Sequence, residues 1–236
     1  MFSYGLGDAG TGLVATQFGF FLFKFFISAG LPVIIAGSLL MLIKIWDAVN
    51  DPLIGWLSDR TKSRWGPRIP WMVAASVPLG FSLAAIWWTP TGSVLTKTIY
   101  YAIISIIVMT AYTSINLPFA ALSTEISEKT AIRTRLNASR FTGSIIAGLT
   151  GLIIAGVVLG SEGSANNEYF LMGKISGCIA VAATLISCWG LAPFAKKARR
   201  PSGKVEAITL QFKRIFRNKK FLKVITLYIL LWCALQ

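Results

Sequence analysis

An otherwise apolar stretch of the chain, LLMLIKIWDAVNDPLIGWL, contains three ionisable residues, Lys44, Asp47 and Asp51. If the stretch is helical, residues three or four apart share a face, so the two carboxylates and the ammonium form one polar stripe. With both acids ionised the stripe carries one net negative charge, which a bound monovalent cation or a shared proton would neutralise. The stripe therefore predicts a cation-binding site.

A structural role for the same residues is a buried ion pair that ties helices together. One lysine and one aspartate would suffice for that role, and the second carboxylate would be left over. An ionisable side chain near the bilayer midplane costs at least about 2.5–3.5 kcal/mol, so a surplus acid indicates a function. Pro52 also interrupts the helical hydrogen bonding beside Asp51 and frees a backbone carbonyl as a further ligand. These features favour a cation site over a purely structural network.

A second polar group lies in AYTSINLPFAAL, where Tyr112, Thr113 and Asn116 fall within one turn of a helix that Pro118 bends. Their oxygens suit a hard monovalent cation or a polyol. The alternative is ordinary hydrogen bonding between membrane helices, worth about 0.6 kcal/mol per contact. Arg140, in NASRFTGSIIAG, either belongs to this site or is an interfacial side chain that reaches for the membrane surface.

Six apolar segments are long enough to position these residues in a membrane, since a transmembrane helix needs roughly 20 mainly apolar residues. They lie at 4–27, 33–58, 70–89, 98–121, 141–160 and 172–194. The chain is 55% hydrophobic and only 14% charged, which is too apolar for a soluble domain. A seventh segment starts near Phe221 and continues for about 16 residues, which is marginal for a full span. We expect an all-α membrane protein and a truncated or half-length chain.

The 23 basic residues are concentrated in alternate loops. Four lie in the loop after the second span, four in or beside the loop after the fourth, and eleven between Lys196 and Lys223. Because basic loops face the cytoplasm, the N-terminus is predicted to be cytoplasmic, in a plasma or inner membrane. These loops explain the net charge of +14, so nucleic acid is not an expected partner.

The sequence offers little for catalysis or a metal cofactor. The chain has no histidine, and Cys178, Cys188 and Cys233 lack metal-ligand spacing. We therefore expect no enzyme and no cofactor beyond a bound cation. The segment GLGDAG at 5–10 matches a dinucleotide-binding pattern, but no strand precedes it, and its glycines favour close helix packing. Asp8 within it is expected either to cap the helix or to face a water-filled entrance.

The segment after the second span, GWLSDRTKSRWGPR, ends a helix and turns sharply. The preference for positive charge on the cytoplasmic side explains its arginines but neither its glycine nor its acid. The pattern resembles the signature loop between helices two and three of the major facilitator superfamily, whose acid and arginines latch the two halves of a transporter on the cytoplasmic side. The matching residues, expected to form a cytoplasmic gating loop, are Gly55, Asp59, Arg60, Arg64 and Arg68.

Four segments together, YGLGDAG, KIWDAVNDPLIGWLSDRTKSRWGPRIPW, YTSINLPFAAL and SRFTGS, resemble the glycoside–pentoside–hexuronide:cation symporter family, the melibiose-permease branch of the major facilitators. The resemblance covers the first five spans. It implies a twelve-helix transporter of two six-helix halves, with a sugar and sodium, lithium or a proton bound between them. By position, Asp47 and Asp51 resemble the family's cation-binding carboxylates, and Thr113 its oxygen donor from helix four. Lys44 stands where the family usually has a basic residue, often arginine. Arg140 resembles an arginine of the family's sugar site.

The chain also departs from the melibiose permease at three positions. Gly12 stands where that protein has a sugar-binding carboxylate, Asn116 where it has a second acid, and Ala120 where it has an aromatic residue. Buried polar partners decide hydroxyl recognition, so the cation half of the site is retained and a melibiose-like pocket is not expected. The expected cation-binding residues are Asp47, Asp51, Thr113 and Asn116, with Lys44 balancing charge. The expected substrate-binding residues are Gly12, Tyr112, Asn116 and Arg140.

The expected organisation has three parts. Residues 1–195 form the N-terminal six-helix bundle of a major facilitator fold, 196–220 a basic cytoplasmic loop with an amphipathic helix, and 221–236 the start of helix seven. The expected function is symport of a sugar, glycoside or related small solute with sodium or a proton, by alternating access. The expected partners are that solute, the cation, the bilayer and a C-terminal six-helix half, in the same chain or a separate subunit. The alternative is a non-transporting half-transporter that serves as a structural subunit of a larger membrane complex.

Overall fold

The computed structural model describes residues 2–126, 129–160 and 165–197, together with residues 223, 224 and 226. The long helices of the described chain follow one another with short connections and form an all-α bundle. Their bounds are α1 Phe2–Gly7, α2 Ala9–Ser28, α3 Val33–Arg60, α4 Ile69–Ile86, α5 Val94–Ile126, α6 Thr130–Leu159 and α7 Ala165–Lys197. Helices α2 to α7 are each long and apolar enough to cross a membrane. The protein is thus an integral, multi-pass membrane protein, and the predicted fold class is confirmed.

Several helices extend beyond the apolar segments from which they were predicted. Helix α6 begins at Thr130, whereas the fifth segment was predicted to begin at residue 141. Hydropathy detects only the part of a helix that lies in hydrocarbon, and the polar first turns of α6 fall outside that part. The first predicted span, 4–27, is interrupted at Asp8, where α1 ends and α2 begins.

The core of the bundle is held by apolar and aromatic packing. Phe25 of α2 lies against Trp87, Tyr101 of α5 and Tyr169 of α7, with ring centroids 4.9–5.8 Å apart. All four side chains are at least 95% buried. Such aromatic pairs add about 0.5–1.5 kcal/mol each beyond the area that they bury.

Small residues set the closest approach between helices. A Cβ added at Gly143 of α6 would overlap the carbonyl oxygen of Gly5 in α1. The backbones of α4 and α7 meet in the same way, since a Cβ at Gly177 would lie 2.6 Å from the carbonyl oxygen of Gly80. Small residues at helix contacts are the usual means of tight packing in membranes, where burial from water does not drive helices together.

This packing predicts that alanine is harmful at one glycine of α6 and tolerated at another. Gly143→Ala should destabilise the protein by about 1–3 kcal/mol through overpacking, whereas Gly156, with open space at its Cβ position, should tolerate alanine. Both changes carry the same gain of about 1 kcal/mol in helix propensity, so Gly156→Ala is the matched control. Thermal unfolding in detergent would measure the difference, and equal midpoints would contradict the packing role of Gly143.

The chain divides into two compact units, residues 1–200 and 201–236. In the second unit the described residues are Lys223, Val224 and Thr226, which are helical and exposed. The predicted helix-seven segment, 221–236, otherwise lies outside the described residues. So does the predicted loop 196–220, apart from residues 196 and 197, which α7 includes.

Candidate functional site

The two aspartates of α3 face one threonine of α5. The hydroxyl oxygen of Thr113 lies 3.4 Å from Oδ1 of Asp47 and 3.1 Å from Oδ1 of Asp51. The threonine is 2% exposed, and both aspartates are half-buried. A hydroxyl has one proton to donate, so it serves one of these carboxylates at a time. The other carboxylate is left available to a cation, a proton or water.

The local sequence explains this convergence. Asp47 and Asp51 are four residues apart and therefore stack on one face of α3, and that face packs against α5. Pro52 lies inside the helix and has no N–H, so the carbonyl of Ala48 lacks its usual helical donor. The site thus combines two carboxylates, a hydroxyl and a freed backbone carbonyl nearby on the chain.

Lys44 is exposed. None of the ion pairs found in the described residues joins Lys44 to Asp47 or Asp51. Lys44, Asp47 and Tyr112 instead line a cavity of about 480 Å³ between α2, α3 and α5. The alternative explanation of the stripe, a closed lysine–aspartate pair that ties helices together, is therefore not seen here.

A second cluster surrounds Arg140 of α6. Its Nε donates to Oδ2 of Asp8 at 3.0 Å, and its Nη2 donates to Oδ1 of Asn116 at 2.8 Å. The guanidinium also lies 5.6 Å from the ring centroid of Phe119. The Asn116 amide in turn donates to the hydroxyl of Tyr112 at 3.4 Å. Arg140 is therefore part of a partly buried network that links α5, α6 and Asp8 at the junction of α1 and α2, which favours its membership of the site over an interfacial role.

Asp8 joins this cluster, although it was not among the residues expected to bind the cation or the substrate. It is 6% exposed and makes no capping hydrogen bond to α2 through its side chain, although capping was one of the two roles expected for it. Its carboxylate accepts from Arg140 and from the hydroxyl of Thr11, the latter at 2.8 Å. An acid inside an apolar segment was the available signal.

Gly12 lies outside both clusters. It is buried, and a Cβ at this position would overlap the hydroxyl oxygen of Ser144 in α6. The glycine therefore serves the close packing of α2 on α6. Its expected substrate contact finds no support in this geometry.

The predicted gating loop is organised around Arg68. Arg68 is 7% exposed and pairs with Asp59 and with Glu125 of α5, the latter at 2.8 Å. It also donates to the hydroxyl of Ser58 at 2.8 Å. The arginine thus joins the end of α3 to the end of α5 within one bundle, and Glu125 is a partner that sequence patterns did not reveal.

The other loop residues have looser surroundings. The guanidinium of Arg60 lies 3.8 Å from the ring centroid of Trp56, and Arg64 is exposed. A Cβ at Gly55 would lie 3.1 Å from Leu117 of α5, so this glycine allows α3 and α5 to approach. Arg68 is therefore the structural centre of the loop.

The loop gives a stability prediction. Arg68→Ala should lower the free energy of unfolding by about 3 kcal/mol, because Glu125 would remain buried without its cation. Arg64→Ala removes the same charge from an exposed position and should change it by less than about 0.5 kcal/mol. Thermal unfolding of both variants in detergent tests the difference, and similar midpoints would show that the Arg68 network contributes little.

Six apolar helices around charged clusters define a multi-pass membrane protein with a polar site inside its bundle. Comparison with known families identifies it further, since the family model described as MFS/sugar transport protein matches residues 3–235. The chain therefore belongs to the MFS/sugar transport protein family, as the sequence motifs predicted. The family is one of transporters, which confirms the expectation that the chain is not an enzyme.

Relatives of the chain carry symporter names. The chain is 37% identical over 206 residues to the uncharacterized symporter sll1374 of Synechocystis, covering 84% of this chain and 38% of that protein. It is 28% identical over 185 residues to the inner membrane symporter YicJ of Escherichia coli, covering 78% and 40%. It is also 28% identical over 161 residues to the sodium-dependent lysophosphatidylcholine symporter 1 of Xenopus tropicalis, covering 67% and 31%. The chain spans less than half the length of each of these relatives.

Proposed function

We propose that this chain forms the N-terminal half of a secondary symporter that couples the uptake of a small solute to a monovalent cation. The solute class that we favour is a sugar or glycoside. The observation that carries the proposal is the convergence of Asp47 and Asp51 on the single hydroxyl of Thr113. Two acids with one shared donor require a positive charge, and a transported cation supplies it reversibly.

Sodium fits this site better than a proton does. Two carboxylates, the Thr113 hydroxyl and the Ala48 carbonyl are all hard oxygen donors, which suit a small hard cation. A proton would need only one of the two acids. The sodium dependence in the name of the Xenopus relative supports the same choice. Asn116 is expected to contribute more to the solute, because its carbonyl oxygen already accepts from Arg140.

The Arg140 cluster suits a solute rich in hydroxyl groups. Asp8 offers strong acceptors, Arg140 offers donors, and Asn116 and Tyr112 offer both. These side chains hold one another in fixed positions through the hydrogen bonds described above, which favours selective recognition of hydroxyls. The family description, sugar transport, supports this class of solute.

The two clusters are neighbours on α5, which supports coupling between them. Thr113 of the cation cluster and Tyr112 of the Arg140 cluster are adjacent residues, and Tyr112 lines the cavity that also contains Asp47. A cation that draws Asp47 and Asp51 towards Thr113 would therefore act on the helix that also presents Asn116. Coupling requires such an element, shared by both sites and biased by each.

We place the basic end of the bundle, with Arg68 and the N-terminus, in the cytoplasm of a cell whose plasma or inner membrane holds the protein. The second half of the site would come from a C-terminal six-helix bundle that faces α2, α3, α5 and α6. Alternating access would then move one half against the other around the bound cation and solute.

Thr113 provides a test of the cation site that leaves both charges intact. In the full-length protein, Thr113→Val should lower the affinity for sodium about tenfold, or about 1.4 kcal/mol, because valine removes a neutral oxygen ligand of the cation. Thr113→Ser keeps the hydroxyl and is the matched control, expected to retain the affinity. Sodium binding is measured by calorimetry at fixed pH. Equal affinity in Thr113→Val and the parent protein would overturn the site, and solute uptake that responds to pH but not to sodium would replace sodium with a proton.

A further inference from the structure

A groove between α4 and α7 lies apart from both clusters. It has a volume of about 610 Å³, and apolar side chains and glycines line most of it. Neither α4 nor α7 contributes a residue to the cation site or to the Arg140 cluster. The floor of the groove lies where Gly80 and Gly177 bring the two backbones together. Its walls include Phe81, which is 77% exposed.

One charged side chain stands at an end of this groove. Lys174 lines it and is exposed, and its ammonium lies 4.6 Å from the ring centroid of Phe170, one turn closer to the start of α7. The side chain thus reaches towards the membrane surface, as lysines near the ends of membrane helices do. No carboxylate in the described part of the chain forms an ion pair with it. The ammonium is therefore available to an anion from outside the protein.

The length of the groove matches one leaflet of a bilayer. On α7 it extends from Lys174 to Leu185, which at 1.5 Å per residue is about 16 Å. Half of a hydrocarbon core roughly 30 Å thick is about 15 Å. The charged end lies towards the membrane surface, and the apolar remainder extends towards the midplane. An occupant that uses both ends of the groove would combine an anionic head with an acyl chain.

From this arrangement we propose that the groove between α4 and α7 binds one anionic phospholipid, with its phosphate on Lys174 and an acyl chain along Gly80, Phe81 and Val181. The leaflet is the one at the end of the bundle opposite Arg68. The lipid would be a resident ligand of the bundle, separate from the transported solute. Its acyl chain would cover the backbone contact between α4 and α7, where glycines leave no side chains to do so.

The test compares the retention of two lipids by the full-length protein. The protein is placed in mixed bilayers of phosphatidylglycerol and phosphatidylcholine, extracted in mild detergent, and its bound lipids are measured by native mass spectrometry. We expect the parent protein to retain phosphatidylglycerol over phosphatidylcholine by about fivefold, as one lysine near a membrane surface contributes about 1 kcal/mol. Lys174→Gln should remove this preference, and Lys174→Arg should keep it.

Two further variants separate the site from general surface charge. Lys24 is exposed near the end of α2, on the same side of the membrane, and outside the groove, so Lys24→Gln should leave the preference unchanged. Ala182→Phe fills the groove and should lower the retention of both lipids. A preference that survives Lys174→Gln, or that Lys24→Gln reduces equally, would overturn the proposal. Undiminished retention in Ala182→Phe would overturn the placement of the acyl chain.

Discussion

Replacing either aspartate of α3 with asparagine should abolish ion-driven accumulation of the solute by the full-length protein. Asp47→Asn and Asp51→Asn each leave the group formed with Lys44 without net charge and remove its reason to bind a cation. The loss in sodium affinity should be at least about a hundredfold. Two unit charges 4 Å apart interact by about 4 kcal/mol at an effective dielectric constant of 20. Downhill exchange of the solute, which needs no bound cation, should continue.

The measurement is uptake into vesicles with and without an inward sodium gradient, at fixed pH. A separate assay, with labelled solute on one side and no sodium gradient, reports the downhill step. Lys44→Gln is the informative control: it removes a charge from the same helix face but raises the net negative charge, so sodium affinity should increase. Unchanged gradient-driven uptake in both asparagine variants would contradict the assignment of Asp47 and Asp51 as cation-binding residues. Loss of solute binding with intact sodium binding would reverse the roles of the two clusters.

The cation cluster was predictable because it depends on spacing within one helix. Asp47 and Asp51 share a face in any regular helix, and the structure adds only which neighbour they meet. Thr113 was predictable by resemblance, whereas its distances to both carboxylates depend on how α3 packs against α5. The open position of Lys44 was not predictable, because nothing in the sequence says whether a lysine pairs along its own helix or reaches into a cavity.

The Arg140 cluster was harder to predict because three helices build it. Hydropathy placed Arg140 just before a span that starts at 141, whereas α6 begins at Thr130. Arg140 therefore lies about 15 Å from the start of α6, where its neighbours on other helices decide its role. Asp8 was equally ambiguous, since its partner is 132 residues away. The expected contact of Gly12 came from positional correspondence alone, which identifies neither the neighbours of a residue nor the side that it faces.

Variants of the ion pair between Asp8 and Arg140 distinguish a solute-binding role from a structural one. Arg140→Gln should abolish solute binding and also destabilise the protein by about 3 kcal/mol, because Asp8 would be left as a buried acid without a cation. The double variant Asp8→Asn with Arg140→Gln removes both charges and should recover most of that stability, as neutral replacements of buried pairs often do.

Solute binding by the double variant should not recover together with its stability. The variant lacks both the carboxylate acceptors and the guanidinium donors that hydroxyl groups would meet. Thermal unfolding in detergent measures the stability. Equilibrium binding of labelled glycosides to the full-length protein measures the solute affinity. Recovery of both in the double variant would show that the pair only holds the junction of α1 and α2 against α6. Arg140→Lys refines the result: a single ammonium keeps the charge beside Asp8 but lacks the planar fork that reaches Asp8 and Asn116 at once, so stability should be retained while solute affinity falls.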